Sequence, residues 1–416
     1  MSEVSSGAVV DPAKYRGKVL AISIAGYAFD GMDIMVFALA APLLLEAWPT
    51  LTLVQIGVIA TSMLLGMSFG GYIFGPIADR IGRKRALVIC IAFFGVITGF
   101  TGFCTDYIQM SVMRFLAGLG LGAEWALGGT ILQEFTEPAK RAKASSLMQL
   151  GWPIGYGLTV LIGYFLTPIM GWQILYYTGA TAVLLAIYIQ YAIPESPSWL
   201  KMHHDRQKGI AAGTPPAAAT GTKDLFKKEN FRPYLFVVVI CTSMLCTYWA
   251  VNTWLPTILA RERGMSPKAF STLLMTLQFV AAGLYFVGGW AGDKFGKRRV
   301  MAICAFISAI TMYLWLGIQW ESDMVFNILA AIAWGFPSII WAILLAYLVE
   351  QFPIHIRAVG VASAFSTGRL IATVIPIAMG AVAQQIGLTV VMAAVSVFYL
   401  IAMFGVLMLR DESKHI

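Results

Sequence analysis

The sequence predicts an all-α membrane protein whose twelve transmembrane helices form two parallel-repeat bundles of six. Three observations carry that expectation. Of the 416 residues, 59% are hydrophobic and only 12% charged, about half the charged share of a soluble domain. Apolar stretches long enough to cross a bilayer recur near residues 19–45, 53–78, 86–104, 107–134, 143–168, 171–193, 234–258, 268–292, 300–318, 324–349, 358–384 and 387–409. Finally, a short basic motif occurs twice, as "GPIADRIGRKR" after the second stretch and "GWAGDKFGKRR" after the eighth.

The repeat is regular. Gly75, Asp79, Gly82, Arg83, Lys84 and Arg85 match Gly289, Asp293, Gly296, Lys297, Arg298 and Arg299, each 214 positions further on. After the fourth stretch, "EFTEPAKR" places Glu134 seven residues before Arg141. After the tenth, "EQFPIHIR" places Glu350 seven before Arg357. The half-ends echo too, "PES" at 194–196 and "DES" at 411–413. A six-helix unit has been duplicated in one orientation. The longest polar interruption, 194–232, has a Gly/Pro/Ala/Thr-rich centre between charged flanks and reads as a linker. It divides the chain into bundles at 1–193 and 233–416.

Charge placement sets the expected topology. Of the 29 Lys and Arg residues, Arg261, Arg263 and Lys268 fall on one side of the spans and Arg114 and Arg369 inside them. The remaining 24 fall on the other side, which the positive-inside bias makes cytoplasmic. Both termini and the linker are therefore expected in the cytoplasm, with the chain in the inner or plasma membrane. The net charge of +8 is accounted for by topology and lipid contact, without nucleic acid. Residues 1–18 are polar, and the apolar run after them is too long for a signal-peptide core, so an uncleaved first helix is expected. All five cysteines lie in spans, which implies no disulfide framework. The four histidines show no metal-ligand spacing. The glycines of "GLGLGAEW" lie inside a span, where they serve helix packing. Neither an enzyme nor a bound cofactor is expected.

Five ionisable residues fall inside spans: Asp30 and Asp33 in the first, Arg114 and Glu124 in the fourth, Arg369 in the eleventh. Charges there are costly and point to function. Asp30 and Asp33, three apart, share a helix face. They repel, so one is readily protonated, and the pair is the expected proton site, with Glu124 as a further member. Gly31 between them permits close approach of a neighbouring helix. The five charges sum to −1, and admitting an anion worsens that balance unless a proton enters too. Arg369, near the midplane of the second half, offers a planar fork to a carboxylate, with Arg114 the next candidate. Trp152, Tyr156 and Trp334 stand beside glycine or proline at mid-helix and are expected to contact substrate with Tyr27, Asn252 and Gln278. Trp125, Tyr248, Trp249, Trp254 and Trp341 read first as packing or interface anchors.

The twelve-span layout, the duplicated loop, the Glu-x6-Arg pairs and "PESPSWL" resemble the major facilitator superfamily. That resemblance implies two bundles around a central cavity worked by alternating access. It also implies gating by Asp79, Arg83, Asp293, Arg298, Glu134, Arg141, Glu350 and Arg357, through contacts made in only one state. "FDGMD" resembles the helix-1 signature of the aromatic acid:proton symporters, with Met32 where that group carries an aromatic. "MRFLAGLGLGAEW" is similar to helix 4 of the same group and of sialic acid and lactate transporters. "STGRLIATVIP" resembles helix 11 of organic-anion carriers, where the matching Arg contacts the anion. "GWPIGYG" lacks the Gly-Pro pattern of helix 5 in drug antiporters, which favours uptake. The resemblance thus implies a monomeric importer of a small aromatic or hydroxy monocarboxylate, driven by the proton gradient. A sialic acid or lactate symporter, and an uncoupled uniporter or exchanger of organic anions, are the alternatives.

Overall fold

A computed structural model describes residues 11–137, 144, 147–201, 204, 223–318, 320–353 and 356–409. Among them there is no strand, and twelve helices are long and apolar enough to cross a membrane. We number these α1 (Pro12–Ala47), α2 (Leu53–Ile81), α3 (Arg83–Thr101), α4 (Tyr107–Glu134), α5 (Gly151–Met170), α6 (Gln173–Ala192), α7 (Lys228–Thr257), α8 (Pro267–Phe295), α9 (Lys297–Gly317), α10 (Asp323–Glu350), α11 (Gly360–Ile386) and α12 (Leu388–Met408). The chain is a multi-pass membrane protein. The centre of the expected linker, the extreme termini and Arg141 lie outside the described residues, as do the side chains of Asp79 and Arg357.

The end of the bundle where α1 starts is here the terminal end, and its opposite the far end. Four helices begin at the far end with a polar cap, which satisfies their first amides. Thr52 forms a reciprocal capping box with Gln55. Asp106 accepts from Ile108 and Gln109, Ser266 from Ala269, and Ser322 from Val325. Tight reversals use glycine instead. Gly82 and Gly296, with φ of 110° and 87°, join α2 to α3 and α8 to α9. These left-handed conformations suit glycine because it has no Cβ, so the repeated motif keeps glycine at both places. Gly171 and Gly387, at 74° and 87°, repeat the device before α6 and α12.

Helix α11 is broken. Its segments, Arg357–Ala372 and Ile375–Ile386, are separated at Thr373 and Val374, just before Pro376. Proline lacks the amide and crowds the preceding turn, so the break follows from the sequence. It lies one turn beyond Arg369.

The first and last six helices meet as α1 with α7, α2 with α11, and α5 with α8. The α2–α11 contact lies towards the far end. A Cβ on Gly57 would stand 2.6 Å from the Ile377 Cα, Gly380 abuts the Leu53 backbone and Trp254, and Thr61 donates to the Thr373 carbonyl (2.8 Å). At the terminal end, ion pairs among the described residues stay within one half. They are Arg16–Glu137 (2.6 Å), Arg83–Glu134 (3.7 Å) and Lys297–Glu350 (2.6 Å). Helices α4 and α10 share no extended contact there. Among the described residues, the halves are joined at the far end, and the ion pairs of the terminal end lie within one half.

A bulky residue at Gly57 has no space while the halves touch. Gly57→Leu is therefore expected to open the far end. In a background without the native cysteines, labelling of Thr61→Cys from the far side should rise several-fold. Unchanged labelling would show that this contact does not hold the closure.

Candidate functional site

The two aspartates of α1 do not act on one another as a closed pair. Three residues along a helix is a turn of about 60° around the axis, enough to give them different neighbours. Asp33 faces Arg114 of α4. The guanidinium reaches Asp33 Oδ2 at 2.6 Å, Oδ1 at 3.2 Å and the Asp33 carbonyl at 3.1 Å. Thr98 of α3 donates to Oδ1 at 2.5 Å. Both charged side chains are buried, at 0% and 2% exposure, and the Arg114 guanidinium lies 5.9 Å from the Tyr176 ring centre. This is a buried internal bridge that ties α1, α3 and α4 together, with only the Arg114 Nε left without a partner. The cavity described below has neither Asp33 nor Arg114 among its walls, and Asp30, Glu124 and Arg369 are not among them either.

Asp30 faces Glu124 instead. Their carboxyl groups lie within hydrogen-bonding reach of each other, and both residues are buried, at 4% and 1% exposure. Glycine makes the approach possible, because a Cβ on Gly26 would collide with the Glu124 carboxyl. Asp30 Oδ1 and Glu124 Oε2 have no hydrogen-bond partner. Two carboxyl groups can bond to each other only if at least one keeps its proton. Gly31 plays its expected part, since its missing Cβ would lie 2.8 Å from the Trp152 carbonyl of α5.

Arg369, on the terminal side of the α11 break, is within electrostatic reach of Asp30. Its guanidinium stands 5.3 Å from the Phe365 ring centre, near enough for its charge to act on Asp30, Tyr27 and Tyr248. A belt of rings runs from one half to the other beside it. Successive centroid distances are 5.6 Å for Tyr27–Trp152, 5.8 Å for Trp152–Tyr248, 5.6 Å for Tyr248–Trp341 and 6.5 Å for Trp341–Phe365.

Behind the belt is a cavity of about 70 Å³, well below the roughly 300–1,000 Å³ of open ligand pockets. Trp152, Trp334, Asn252 and Gln278 line it, as their sequence positions suggested. Tyr156 stands against Trp334 (6.2 Å) and beside Gln278. Tyr27 joins through its contact with Trp152. Sequence reasoning missed Tyr285, Ser338 and Tyr399, and read Tyr248 and Trp341 as packing; all five line the cavity. The available signal was helical spacing. Tyr285 is seven residues from Gln278, and Trp334, Ser338 and Trp341 are spaced four and three apart, so each set shares a face.

The described gating candidates lie at the terminal end, away from this cavity. Glu134 bonds Ser196 and Arg83, so its partners come from the loop motif and "PES". Glu350 takes Lys297, the position before Arg298. Arg298 donates to the carbonyls of Val406 (3.4 Å) and Leu407 (2.5 Å), and Asp293 is exposed. No group of three or more His, Cys, Asp or Glu residues able to hold a metal occurs among the described residues.

The two acidic sites should separate on mutation. Asp33→Asn leaves Arg114 buried without its counter-charge, which costs about 3–5 kcal/mol. Melting of the purified protein in detergent should fall sharply for Asp33→Asn and for Arg114→Ala. It should move little for Asp30→Asn. Equal losses at both aspartates would contradict the division.

Known proteins bear on this arrangement. A "Putative niacin/nicotinamide transporter NiaP" of Bacillus subtilis (strain 168) is 26% identical, covering 95% of this chain and 96% of its own. A "Cis,cis-muconate transport protein" of Acinetobacter baylyi (strain ATCC 33305 / BD413 / ADP1) is 28% identical, with coverage of 89% and 88%. Among solved structures, the inward open conformation of the xylose transporter XylE from E. coli superposes with a TM-score of 0.77 at 17% identity, covering 94% of this chain and 95% of that one. The family model described as Major Facilitator Superfamily matches residues 23–282 and 244–416. The chain is a membrane transporter, not an enzyme, and belongs to the Major Facilitator Superfamily.

Proposed function

We propose that this chain imports a small organic acid, an unsaturated or aromatic monocarboxylate, together with a proton. The observation that carries this reading is the buried Asp30–Glu124 carboxyl pair within electrostatic reach of Arg369. A carboxyl pair that shares a proton is a ready proton carrier, and the adjacent guanidinium is a ready carboxylate receptor. In a low-dielectric interior the two are coupled. An anion that takes up the Arg369 charge removes its pull on Asp30, which favours protonation of the pair. Proton and substrate then load together, and the rings of Trp152, Tyr248, Trp334 and Trp341 offer faces for a planar substrate. The names of the relatives, niacin and muconate carriers, support a planar unsaturated acid.

The basic loops and linker favour a cytoplasmic terminal end. The closed far end then faces outwards, and the structure corresponds to the state that releases substrate inwards. Arg83, Glu134, Lys297 and Glu350 hold their own halves rigid in that state, and Asp79, Asp293, Arg141, Arg298 and Arg357 serve the opposite closure.

Proteoliposomes test this with nicotinate and benzoate as probes. Accumulation should rise as the pH on the uptake side falls, because a proton accompanies the anion. Asp30→Asn or Glu124→Gln should lose gradient-driven accumulation and keep substrate exchange. Arg369→Ala should lose acid binding by about tenfold or more, with Arg369→Lys intermediate. Full accumulation by both carboxyl variants would reject proton coupling at this pair. Wild-type acid affinity in a folded Arg369→Ala would place the anion elsewhere.

A further inference from the structure

The cavity holds polar atoms with nothing to bond. Asn252 Oδ1 and Trp315 Nε1 have no hydrogen-bond partner, and Gln278 Nε2 makes no well-formed bond and has only the Tyr156 side chain in reach; Asn252, Gln278 and Trp315 are 5%, 6% and 1% exposed. All three residues line the same cavity, from α7, α8 and α9. The Asn252 amide nitrogen is already committed to the Tyr248 carbonyl at 2.8 Å, which fixes the side chain and leaves its oxygen as the acceptor. Buried polar groups are almost always bonded, and those that are not call for an explanation. One acceptor and two donors among the walls of one cavity are the complement of a hydroxyl, which donates once and accepts twice. It is equally the complement of a primary amide. It is a poor match for a second carboxylate, which only accepts. No Lys, Arg or His lines the cavity, so a second carboxylate would be desolvated without a counter-charge.

We infer that Asn252 and Gln278, assisted by Trp315, form a neutral selectivity subsite that recognises a hydroxyl or amide on the substrate at the end opposite its carboxylate, and that the same subsite rejects dicarboxylates. The inference rests on the reading that Arg369 takes the carboxylate. It adds what that reading leaves open, namely the chemistry of the substrate's other end. It also separates this chain from a relative named for a dicarboxylic acid, muconate.

Calorimetric titration of the purified full-length protein tests this with benzoate, 3- and 4-hydroxybenzoate, 4-carbamoylbenzoate and terephthalate. At least one of the hydroxyl or amide acids should bind about tenfold tighter than benzoate, the factor one well-made buried hydrogen bond commands. Terephthalate should bind no better than benzoate. In Asn252→Leu and Gln278→Leu the ratio of substituted acid to benzoate should fall towards one. The wild-type series alone can reject the proposal, so a variant that fails to fold leaves it exposed to refutation. Benzoate binding as tightly as every substituted acid, or terephthalate matching the best of them, would overturn the subsite and leave the Arg369 reading intact. A ratio unchanged in both folded variants would overturn the assignment to these residues. Failure of every acid to bind would overturn both readings.

Discussion

A carboxylate buried in a membrane protein must find a cation or keep a proton. The first half of this chain buries three carboxyl groups, Asp30, Asp33 and Glu124, and one guanidinium, Arg114. Arg114 can neutralise only one of the three, and it is spent on Asp33. The other two are left facing each other within hydrogen-bonding reach, and a hydrogen bond between two carboxyl groups requires a proton. From that inequality follow a rigid bridge, a titratable pair and a place for the charge of the opposite half to act. Helix geometry enforces the division. The step of about 60° between Asp30 and Asp33 sends one towards Thr98 and Arg114 and the other towards Glu124.

The two ends of the bundle do different work around this centre. Backbone contacts at glycine join the halves at the far end, where Gly57 meets Ile377 and Gly380 meets Leu53. Ion pairs at the terminal end brace each half separately. Close-packed backbone excludes water and releases without breaking a charge pair, which suits a contact that must open and reform. The α11 break after Arg369, set by Pro376, places a cation of the second half next to the seam. On the proposed reading, a rocking motion there would carry Arg369 relative to Asp30 and so change the electrostatic link between substrate and proton with conformation.

Much of the fold was legible in the sequence. Span length is dictated by bilayer thickness, so the twelve apolar runs match the twelve helices within a few residues at most ends. The duplicated glycines were legible because the turns at Gly82 and Gly296 need left-handed backbone. The pairing of intramembrane charges was not. Spacing says which residues share a face, yet it cannot say which helix that face meets, so Asp30 and Asp33 read as a pair when each has a partner on α4. At the terminal end Lys297 is a partner of Glu350 that spacing did not point to. Tyr285, Ser338 and Tyr399 escaped notice because aromatic and hydroxyl side chains in spans usually only pack, and only the cavity distinguishes those that do more.

The central claim is that Asp30 and Glu124 share a proton inside the protein, opposite Arg369. Infrared difference spectroscopy of the purified protein reads this directly, through the C=O stretch of a protonated carboxyl group. The account predicts such a band in the wild type at neutral pH, perturbed when an acid substrate binds and absent from the Asp30→Asn/Glu124→Gln double variant. A wild-type spectrum with no protonated carboxyl, or a band that survives in the double variant, would contradict it.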